Sequence, residues 1–284
     1  MPFDQVVIGD CVTLLNEIPS ETVDLVFADP PFNIGYEYDR YNDRRTHEDY
    51  LNWTTEWLTA AVRVLKPSGS MFVAIGDEYV AEHKVRLDAL QMTMRNWIVW
   101  HYTFGVSCTH KFSRSHTHIL YYVKDAKRFT FNSDAIRVPS ARQTTYADRR
   151  ANQKGKVPDN TWVLRPQEDE RFFQPDTDTW NSSRVCGTFH ERLSHPCQMP
   201  EAILDRILRV SSDPGDLVLD PFAGSGTTLA VAKKLDRRYY GIELSPDYAQ
   251  AIEERLDAID QPATGCASSV SAAVPSSPSK SSAV

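Results

Sequence analysis

The stretch that decides the fold runs Val23-Asp24-Leu25-Val26-Phe27-Ala28-Asp29-Pro30-Pro31-Phe32. Its first six residues form a short, apolar run, which predicts a buried strand of a parallel sheet. Two prolines then end the strand, and each fixes φ and removes a backbone N–H donor, so the local carbonyls remain available as acceptors. Because parallel α/β sheets bind ligands beyond the carboxyl ends of their strands, we expect Asp29 to face a crevice. A carboxylate, a rigid carbonyl and an aromatic ring suit a planar group that carries an exocyclic amine.

Strand and helix patterns alternate on both sides of an irregular middle segment. Strands are predicted at 6–8, 23–28, 70–75, 97–101, 118–123, 217–219 and 239–242, with helices at 49–65, 78–92, 199–210 and 246–258 and from Thr227. Residues 33–48 and 103–117 are expected to be loops, the first of them mobile. This alternation predicts a doubly wound, parallel α/β sheet. Ser, Ala and Pro dominate after Gln261, so we expect a disordered tail.

The composition is that of a chain able to bury a full core, since 41% of its 284 residues are hydrophobic. No apolar stretch reaches the ~18–20 residues that span a bilayer, and the first residues lack the features of a signal peptide. The five cysteines include no Cys-x-x-Cys pair. We therefore expect a cytoplasmic protein with reduced thiols.

Charge is distributed unevenly along the chain, although the net charge is −7. Residues 95–195 hold 16 basic and 10 acidic side chains, whereas residues 1–94 hold 7 basic and 16 acidic ones. Six of the eight histidines also lie in the basic segment. A basic middle third in an acidic protein favours a surface that faces nucleic acid, with a solvated basic face as the alternative.

A glycine turn follows the predicted strand 217–219, with the sequence Asp220-Pro221-Phe222-Ala223-Gly224-Ser225-Gly226-Thr227-Thr228. Glycines let the backbone approach a ligand, and Glu243, which ends the next strand, is placed to accept a ribose hydroxyl. A dinucleotide site would need a third glycine near Leu229, and a P-loop would need Gly-Lys-Ser/Thr. The ligand should therefore carry ribose without a pyrophosphate, and S-adenosylmethionine fits. A turn that binds no ligand is the alternative.

Several motifs together resemble the β group of DNA amino-methyltransferases, whose sequence order is permuted. Asp29-Pro30-Pro31-Phe32-Asn33 matches the catalytic motif, and Phe222, Gly224 and Gly226 match the Phe-x-Gly-x-Gly cofactor turn. Further matches are Gly9-Asp10-Cys11, Lys66-Pro67-Ser68-Gly69 and the segment from His195 to Glu201. The resemblance implies a Rossmann-like, seven-stranded methyltransferase sheet, circularly permuted, with one antiparallel strand and an inserted target-recognition region.

The domain organisation that follows from the resemblance has four parts. Residues 1–124 form the catalytic half of the methyltransferase domain, 125–194 the target-recognition insertion, 195–260 the cofactor-binding half and 261–284 the disordered tail. Joining residue 258 to residue 5 would restore the usual strand order of a methyltransferase.

The implied reaction is transfer of a methyl group from S-adenosylmethionine to the exocyclic amine of a flipped base in double-stranded DNA. The predicted catalytic residues are Asp29, Pro30, Pro31 and Phe32, the ring of Phe32 stacking on the base. The predicted cofactor contacts are Asp10, Cys11, Asp29, His195, Gln198, Asp220, Phe222, Gly224, Ser225, Gly226, Thr227, Thr228 and Glu243. The predicted substrate contacts are Asn33, Lys111, Arg114, His116, Arg142, Arg149 and Arg150. No metal site is predicted, because the spacing of Cys108, His110, His116 and His118 matches no familiar ligand set.

The alternatives concern the target and the activity. Asp rather than Ser at position 29 favours adenine N6 over cytosine N4 in the family. RNA or a protein glutamine as the substrate, an inactive DNA-binding protein and an NAD-linked oxidoreductase are the remaining alternatives. A homodimer and a cognate restriction endonuclease are partners that the resemblance leaves open.

Overall fold

The fold is seen in a computed structural model that describes residues 2–106, 108–162 and 198–260, with the backbone alone for residues 103–106. The strands are β1 (Gln5–Ile8), β2 (Val23–Ala28), β3 (Leu65–Ile75), β4 (Thr93–Val106), β5 (Arg114–Val123), β6 (Thr161–Trp162), β7 (Leu217–Asp220) and β8 (Arg238–Glu243). The α-helices are α1 (Cys11–Glu17), α2 (His47–Val64), α3 (Val80–Ala89), α4 (Ala141–Thr144), α5 (Glu201–Ser211), α6 (Thr227–Lys234) and α7 (Pro246–Asp260). A 3₁₀ turn spans Ser133–Ile136.

The strands of the described residues form one sheet in the order β1-β8-β7-β2-β3-β5-β4-β6. Strand β5 runs antiparallel to both of its neighbours, whereas the other pairs are parallel. The first strand of the chain thus lies beside the last, as a permuted sheet requires. The predicted doubly wound sheet with one antiparallel strand is confirmed.

Side chains of the central strands bury alternately on the two faces of the sheet. Val26 and Ala28 of β2 pack in the cluster that α1, α2 and α3 cover. Leu25 and Phe27 pack in the opposite cluster, which contains the apolar residues of α5, α6 and α7. Both faces are therefore covered, which explains why β2 is apolar at nearly every position.

Three details of the sheet differ from the sequence prediction. The sheet has eight strands rather than seven, because the two-residue β6 pairs with the edge strand β4. Strand β3 begins at Leu65 rather than residue 70, since a register shift against β2 between Val23 and Leu25 absorbs the Lys66–Gly69 break. Much of the predicted loop 103–117 is strand, because β4 and β5 continue their pairing as a long hairpin.

The described part of the predicted insertion packs against the rest of the sheet. Asn132 donates its side-chain amide to the carbonyls of Arg209 and Ser212, at 3.3 and 3.1 Å. Trp162 is buried in the same core cluster as Trp100. The division into domains stays a prediction, and the remainder of the insertion and the predicted tail lie outside the described residues. Within the part that is described, no helix has the length and hydropathy needed to cross a bilayer.

Gly226 begins α6 in the left-handed conformation, with φ of +71°. A Cβ at this position would lie 2.6 Å from Cγ2 of Ile252, on α7. Gly226 therefore permits close packing of α6 against α7 as well as the turn itself.

We predict that Gly226→Ala lowers the free energy of unfolding more than Gly215→Ala does. Both positions have positive φ, which costs an alanine about 1–2 kcal/mol, but Gly215 has no atom within 4 Å of the added carbon. Overpacking against Ile252 should add about 1–3 kcal/mol at Gly226 only. Urea unfolding of the two variants measures this difference, and equal losses would contradict the packing role.

Candidate active site

A cavity of about 580 Å³ lies at the carboxyl edge of the parallel strands. Four carboxylates reach it from four strand ends: Asp10 after β1, Asp29 after β2, Asp220 of β7 and Glu243 of β8. The predicted residues that line it are Asp10, Cys11, Asp29, Pro30, Pro31, Phe32, Gln198, Asp220, Phe222, Gly224, Ser225, Thr227, Thr228 and Glu243. The catalytic motif and the glycine turn thus share one cavity, although about 190 residues separate them.

The Pro-Pro motif is held from behind by an aromatic cluster. Tyr50, fully buried on α2, donates its hydroxyl to the carbonyl of Pro31 at 2.7 Å. The ring of Tyr79 lies 4.4 Å from that of Tyr50, and its hydroxyl accepts from the side-chain amide of Asn33 at 2.9 Å. Asn33 has φ of +56°, and its amide oxygen accepts from the backbone N–H of Arg45 at 2.8 Å. The side chain of Asn33 thus anchors the loop, and its predicted substrate contact stays a prediction.

Asp43 fixes the backbone that leaves the motif. Its buried carboxylate accepts from the backbone N–H groups of Asn33, Ile34 and Tyr36, at 2.7, 3.1 and 2.9 Å. Three such bonds hold a loop far more tightly than its polar sequence indicates. The sequence analysis missed Asp43, because nothing in a run of polar residues distinguishes the one carboxylate that turns inward.

The glycine turn is held against the end of β8 by Glu243. Its two carboxylate oxygens accept from the backbone N–H groups of Gly224 and Ser245, at 2.8 and 2.9 Å. Burial raises the pKa of Glu243 above its ordinary value. A carboxylate has about four acceptor positions, so acceptor capacity remains beyond its backbone bonds for a hydroxyl group in the cavity. Gly226 is not among the residues that line the cavity; its place is against Ile252.

Asp220 shapes the turn from within. It is buried and accepts from the backbone N–H of Phe222 at 3.0 Å. Burial raises the pKa of Asp220 to about 7, and a hydrogen bond with Thr228 opposes this increase only in part. The carboxyl group is therefore largely protonated in weak acid.

An aromatic wall of Tyr41, Trp53 and Phe222 lines the cavity. The ring of Phe222 lies edge-on to that of Trp57, with centroids 5.2 Å apart. The guanidinium of Arg45 lies 4.9 Å from the ring centroids of both Tyr41 and Trp53. Burial raises the pKa of the Cys11 thiol to about 12, so this cysteine is not a nucleophile.

The loop 33–46 crosses the mouth of the cavity. Asp39 on this loop accepts a hydrogen bond from the hydroxyl of Ser245 at 2.7 Å. Tyr36 and Tyr38 line the cavity, with ring centroids 5.1 Å apart. A ligand in the cavity would therefore lie under a cover of chain 33–46.

The predicted substrate contacts outside the cavity fall in two places. Arg114 forms ion pairs with Asp77, at 3.1 Å, and with Glu78. Arg142 and Arg150 both pair with Asp148 in the insertion. The others are Lys111 and Arg149, which are exposed, and His116, which pairs with Asp77. His195 lies outside the described residues.

Asp77, His116 and His118 lie close enough together to suggest a metal site, with ligand atoms within 4.8 Å of one another. The hydrogen bonds argue against it. Trp97 donates its indole N–H to Nδ1 of His118 at 2.9 Å, so a neutral ring carries its proton on Nε2, 3.0 Å from Asp77. Burial and then His116 lower the pKa of His118, which favours that neutral ring. Nε2 is thus a donor to Asp77 and has no lone pair for a metal ion.

Comparison with known proteins shows which family and which sequences this chain resembles. Residues 23–254 match the family model described as DNA methylase. The chain is 35% identical over 254 residues to the Type II methyltransferase M.HpaI of Haemophilus parainfluenzae, covering 89% of this chain and 74% of that one. It is 37% identical over 252 residues to the DNA adenine methyltransferase YhdJ of Escherichia coli (strain K12), covering 88% and 81%.

Two solved structures show a similar fold. TTHA0409 from Thermus thermophilus, complexed with S-adenosyl-L-methionine, has a TM-score of 0.58 and 25% identity, covering 89% of this chain and 93% of that one. The cytosine-N4-specific PvuII DNA methyltransferase has a TM-score of 0.64 and 19% identity, covering 90% and 86%. The second likeness concerns the fold alone.

We predict that the stability advantage of the wild type over Asp220→Asn falls as pH rises from about 4 to about 7. In this range the unfolded chain, whose Asp220 ionises near its ordinary pKa of 3.8, has released the proton that the folded chain retains. The slope should reach at most about 1.4 kcal/mol per pH unit and then flatten. Urea unfolding across this pH range measures it.

Asp134→Asn is the control of opposite sign. Hydrogen bonds from Lys154 and Arg137 lower the pKa of Asp134 to about 2. The free energy of unfolding of the wild type should therefore increase relative to that of this variant as pH rises toward 4, and this difference should disappear as pH falls through about 2. A difference for Asp220→Asn that is constant with pH, or that rises, would contradict the burial of an ionisable carboxyl group there.

Proposed function

The chain belongs to the DNA methylase family, and we propose that it transfers a methyl group from S-adenosylmethionine to N6 of an adenine extruded from double-stranded DNA. The single observation that carries the proposal is the shared cavity, which Asp29, Pro30 and Phe32 line together with the turn from Phe222 to Gly224. The adenine choice rests on Asp at position 29 and on the similarity to YhdJ, whose name specifies adenine.

The residues of the cavity fit S-adenosylmethionine. The acceptor capacity left on Glu243 suits a ribose hydroxyl, and the aromatic wall of Phe222, Trp53 and Tyr41 suits an adenine ring. Gln198, buried beside the turn, is placed for the methionine end. When bound, this cofactor supplies an electrophilic methyl group on a sulfonium centre.

The charge of the cavity favours this cofactor over NAD. Among the described residues that line the cavity, five are acidic and two are basic. The acidic residues are Asp10, Asp29, Asp39, Asp220 and Glu243, and the basic residues are Arg40 and Arg45. Even without Asp220, which a pKa of about 7 leaves partly protonated at neutral pH, acidic residues outnumber basic ones, and this excess attracts a sulfonium cation and repels a pyrophosphate. The oxidoreductase alternative therefore loses support from the charge as well as from Leu229.

In this proposal the protein acts by positioning a weak nucleophile, the exocyclic amine of adenine. The amine of adenine is a poor nucleophile, because its lone pair is delocalised into the ring. Hydrogen bonds from that amine to the Asp29 carboxylate and the Pro30 carbonyl draw its nitrogen toward tetrahedral geometry and localise the pair. The Tyr50 hydroxyl donates a hydrogen bond to the carbonyl of Pro31, and this bond fixes the orientation of the Pro-Pro backbone. Preorganised acceptors of this kind contribute several kcal/mol to catalysis.

Phe32 is the proposed stacking partner of the extruded base. Extrusion costs a few kcal/mol of stacking and pairing, which an aromatic contact in the pocket offsets. Phe32 is half-buried at the rim of the cavity, next to Gly76, where a side chain would come within 3.1 Å of its ring. The absence of a side chain at residue 76 thus keeps the ring free to lie against a base.

The partners of this chain, double-stranded DNA among them, are proposals that rest on its similarity to known methyltransferases. The Type II relatives support double-stranded DNA as the substrate, since that is the substrate class of restriction-modification methyltransferases. A cognate restriction endonuclease, a homodimer and a cytoplasmic location stay predictions.

The test of the proposed function is to identify the methylated nucleoside. Duplex DNA is incubated with the protein and isotopically labelled S-adenosylmethionine, digested to nucleosides and analysed by mass spectrometry. We expect labelled N6-methyladenine. Labelled N4-methylcytosine would overturn the adenine assignment, and label in RNA but not in DNA would overturn the substrate class.

We predict that Asp29→Ala lowers the turnover number by at least about 100-fold, because a preorganised acceptor is lost from the transition state. Cofactor binding, measured by calorimetry, should persist, since Glu243 and the glycine turn are unchanged. The control is Glu56→Ala, which removes an exposed carboxylate of α2 that does not line the cavity and should change turnover by less than about 10-fold. A turnover number for Asp29→Ala near that of the wild type would refute the mechanism.

A further inference from the structure

The hairpin of β4 and β5 projects past the catalytic edge of the sheet. Strand β3 ends at Ile75, which pairs with His118, whereas β5 begins four residues earlier at Arg114, opposite Val106 of β4. At a rise of about 3.3 Å per residue, the hairpin overhangs this edge by about 13 Å. Because β2 and β3 are parallel, this is the edge at which Asp29 lies.

The base of the overhang touches the pocket proposed for the target base. Trp100 of β4 and Thr117 of β5 line the cavity. A Cβ on Gly76 would lie 3.1 Å from Cδ2 of Phe32 and 3.6 Å from Nη1 of Arg114, so both side chains border the same small space. Ion pairs with Asp77 and Glu78 hold Arg114 there, which gives the hairpin a fixed base.

The tip of the overhang carries an aromatic side chain in water. Phe112, two residues before Arg114, is 99% exposed, the most exposed of the large hydrophobic side chains described. At this exposure nearly the whole ring is available to a partner, and covering it would remove apolar surface from water. Its neighbours His110 and Lys111 are exposed as well, and residues 108–118 include no acidic side chain. The tip therefore presents an apolar ring beside the cation of Lys111, which complements the stacked bases and phosphates of DNA.

We propose that Phe112 is a wedge that enters the DNA duplex beside the target base and fills the space which that base leaves. The proposal rests on the proposed function, since it concerns how the base reaches Phe32. Apolar side chains inserted between base steps unstack them and keep the duplex distorted. Lys111 and His110 would then lie near the flanking phosphates, which positions the wedge without reading sequence.

The experiment compares Phe112→Ala and Phe112→Leu with the wild type. The control is Val85→Ala, because Val85 is also a highly exposed hydrophobic residue (63%) but lies on α3, outside the hairpin and outside the residues assigned to the cofactor or DNA. Once the methylated site is known from sequencing, 2-aminopurine replaces its target base, and its fluorescence reports extrusion. Turnover is measured on an ordinary duplex and on one with a mismatch opposite the target base.

We expect Phe112→Ala to abolish most of the rise in 2-aminopurine fluorescence and to lower turnover on the paired duplex at least tenfold. The mismatched duplex, whose target base is already weakly held, should restore turnover to within about threefold of the wild type. Phe112→Leu should retain most of both signals, since it keeps an apolar wedge. Val85→Ala should match the wild type in fluorescence and turnover, and the affinity of Phe112→Ala for the cofactor should be unchanged.

Other outcomes would overturn the proposal. Wild-type fluorescence and turnover for Phe112→Ala would refute the wedge role of Phe112 and leave the proposed function intact. An equal loss of turnover on paired and mismatched duplexes would do the same. A change from dimer to monomer in sedimentation would assign Phe112 to a contact between copies of the chain. A wild-type protein that transfers no methyl group to DNA would remove the proposed function and the wedge together.

Discussion

The pairing of β2 with β7 is the interaction on which the site depends. The two strands are parallel neighbours, with Leu25 opposite Val218 and Val26 opposite Leu219. Asp24 reinforces the pair at its start, since its carboxylate accepts from the backbone N–H of Leu217, 193 residues away, and from the ammonium group of Lys66. Because the strands are parallel and in this register, the Pro-Pro motif and the glycine turn leave the sheet side by side. Every chemical role assigned above follows from that adjacency.

The cover of the cavity depends on contacts between parts of the chain that lie far apart in sequence. Asp43 holds the start of loop 33–46, and Asp39 joins the loop to Ser245 after β8. Glu243 in turn fixes the glycine turn through the backbone N–H of Gly224. The loop that follows the Pro-Pro motif and the glycine turn are thus linked through Asp39, Ser245 and Glu243. A ligand that binds at Glu243 therefore acts on the same network that aligns the Pro-Pro motif.

The sequence predicts the parts of the fold that depend on local pattern. Apolar runs between turn residues locate the strands near Val26, Phe72 and Leu219, and the motifs at their ends locate the cavity. It does not predict Tyr50 as the donor to Pro31 or Asp43 as the anchor of the loop, because each acts on groups that only folding brings near. The extension of β4 and β5 was missed for a related reason, since the two strands support each other beyond the sheet.

We expect one cavity to hold the cofactor between Glu243 and Asp29, with the target base on the far side of Asp29. The most direct measurement is a crystal structure with sinefungin, a non-reactive analogue of S-adenosylmethionine. In that structure the ribose hydroxyls should lie within hydrogen-bond distance of Glu243, and the amine of sinefungin, which stands in place of the transferable methyl group, should be directed toward Asp29 and Phe32. Sinefungin bound outside this cavity, or bound with that amine directed away from Asp29, would contradict this expectation.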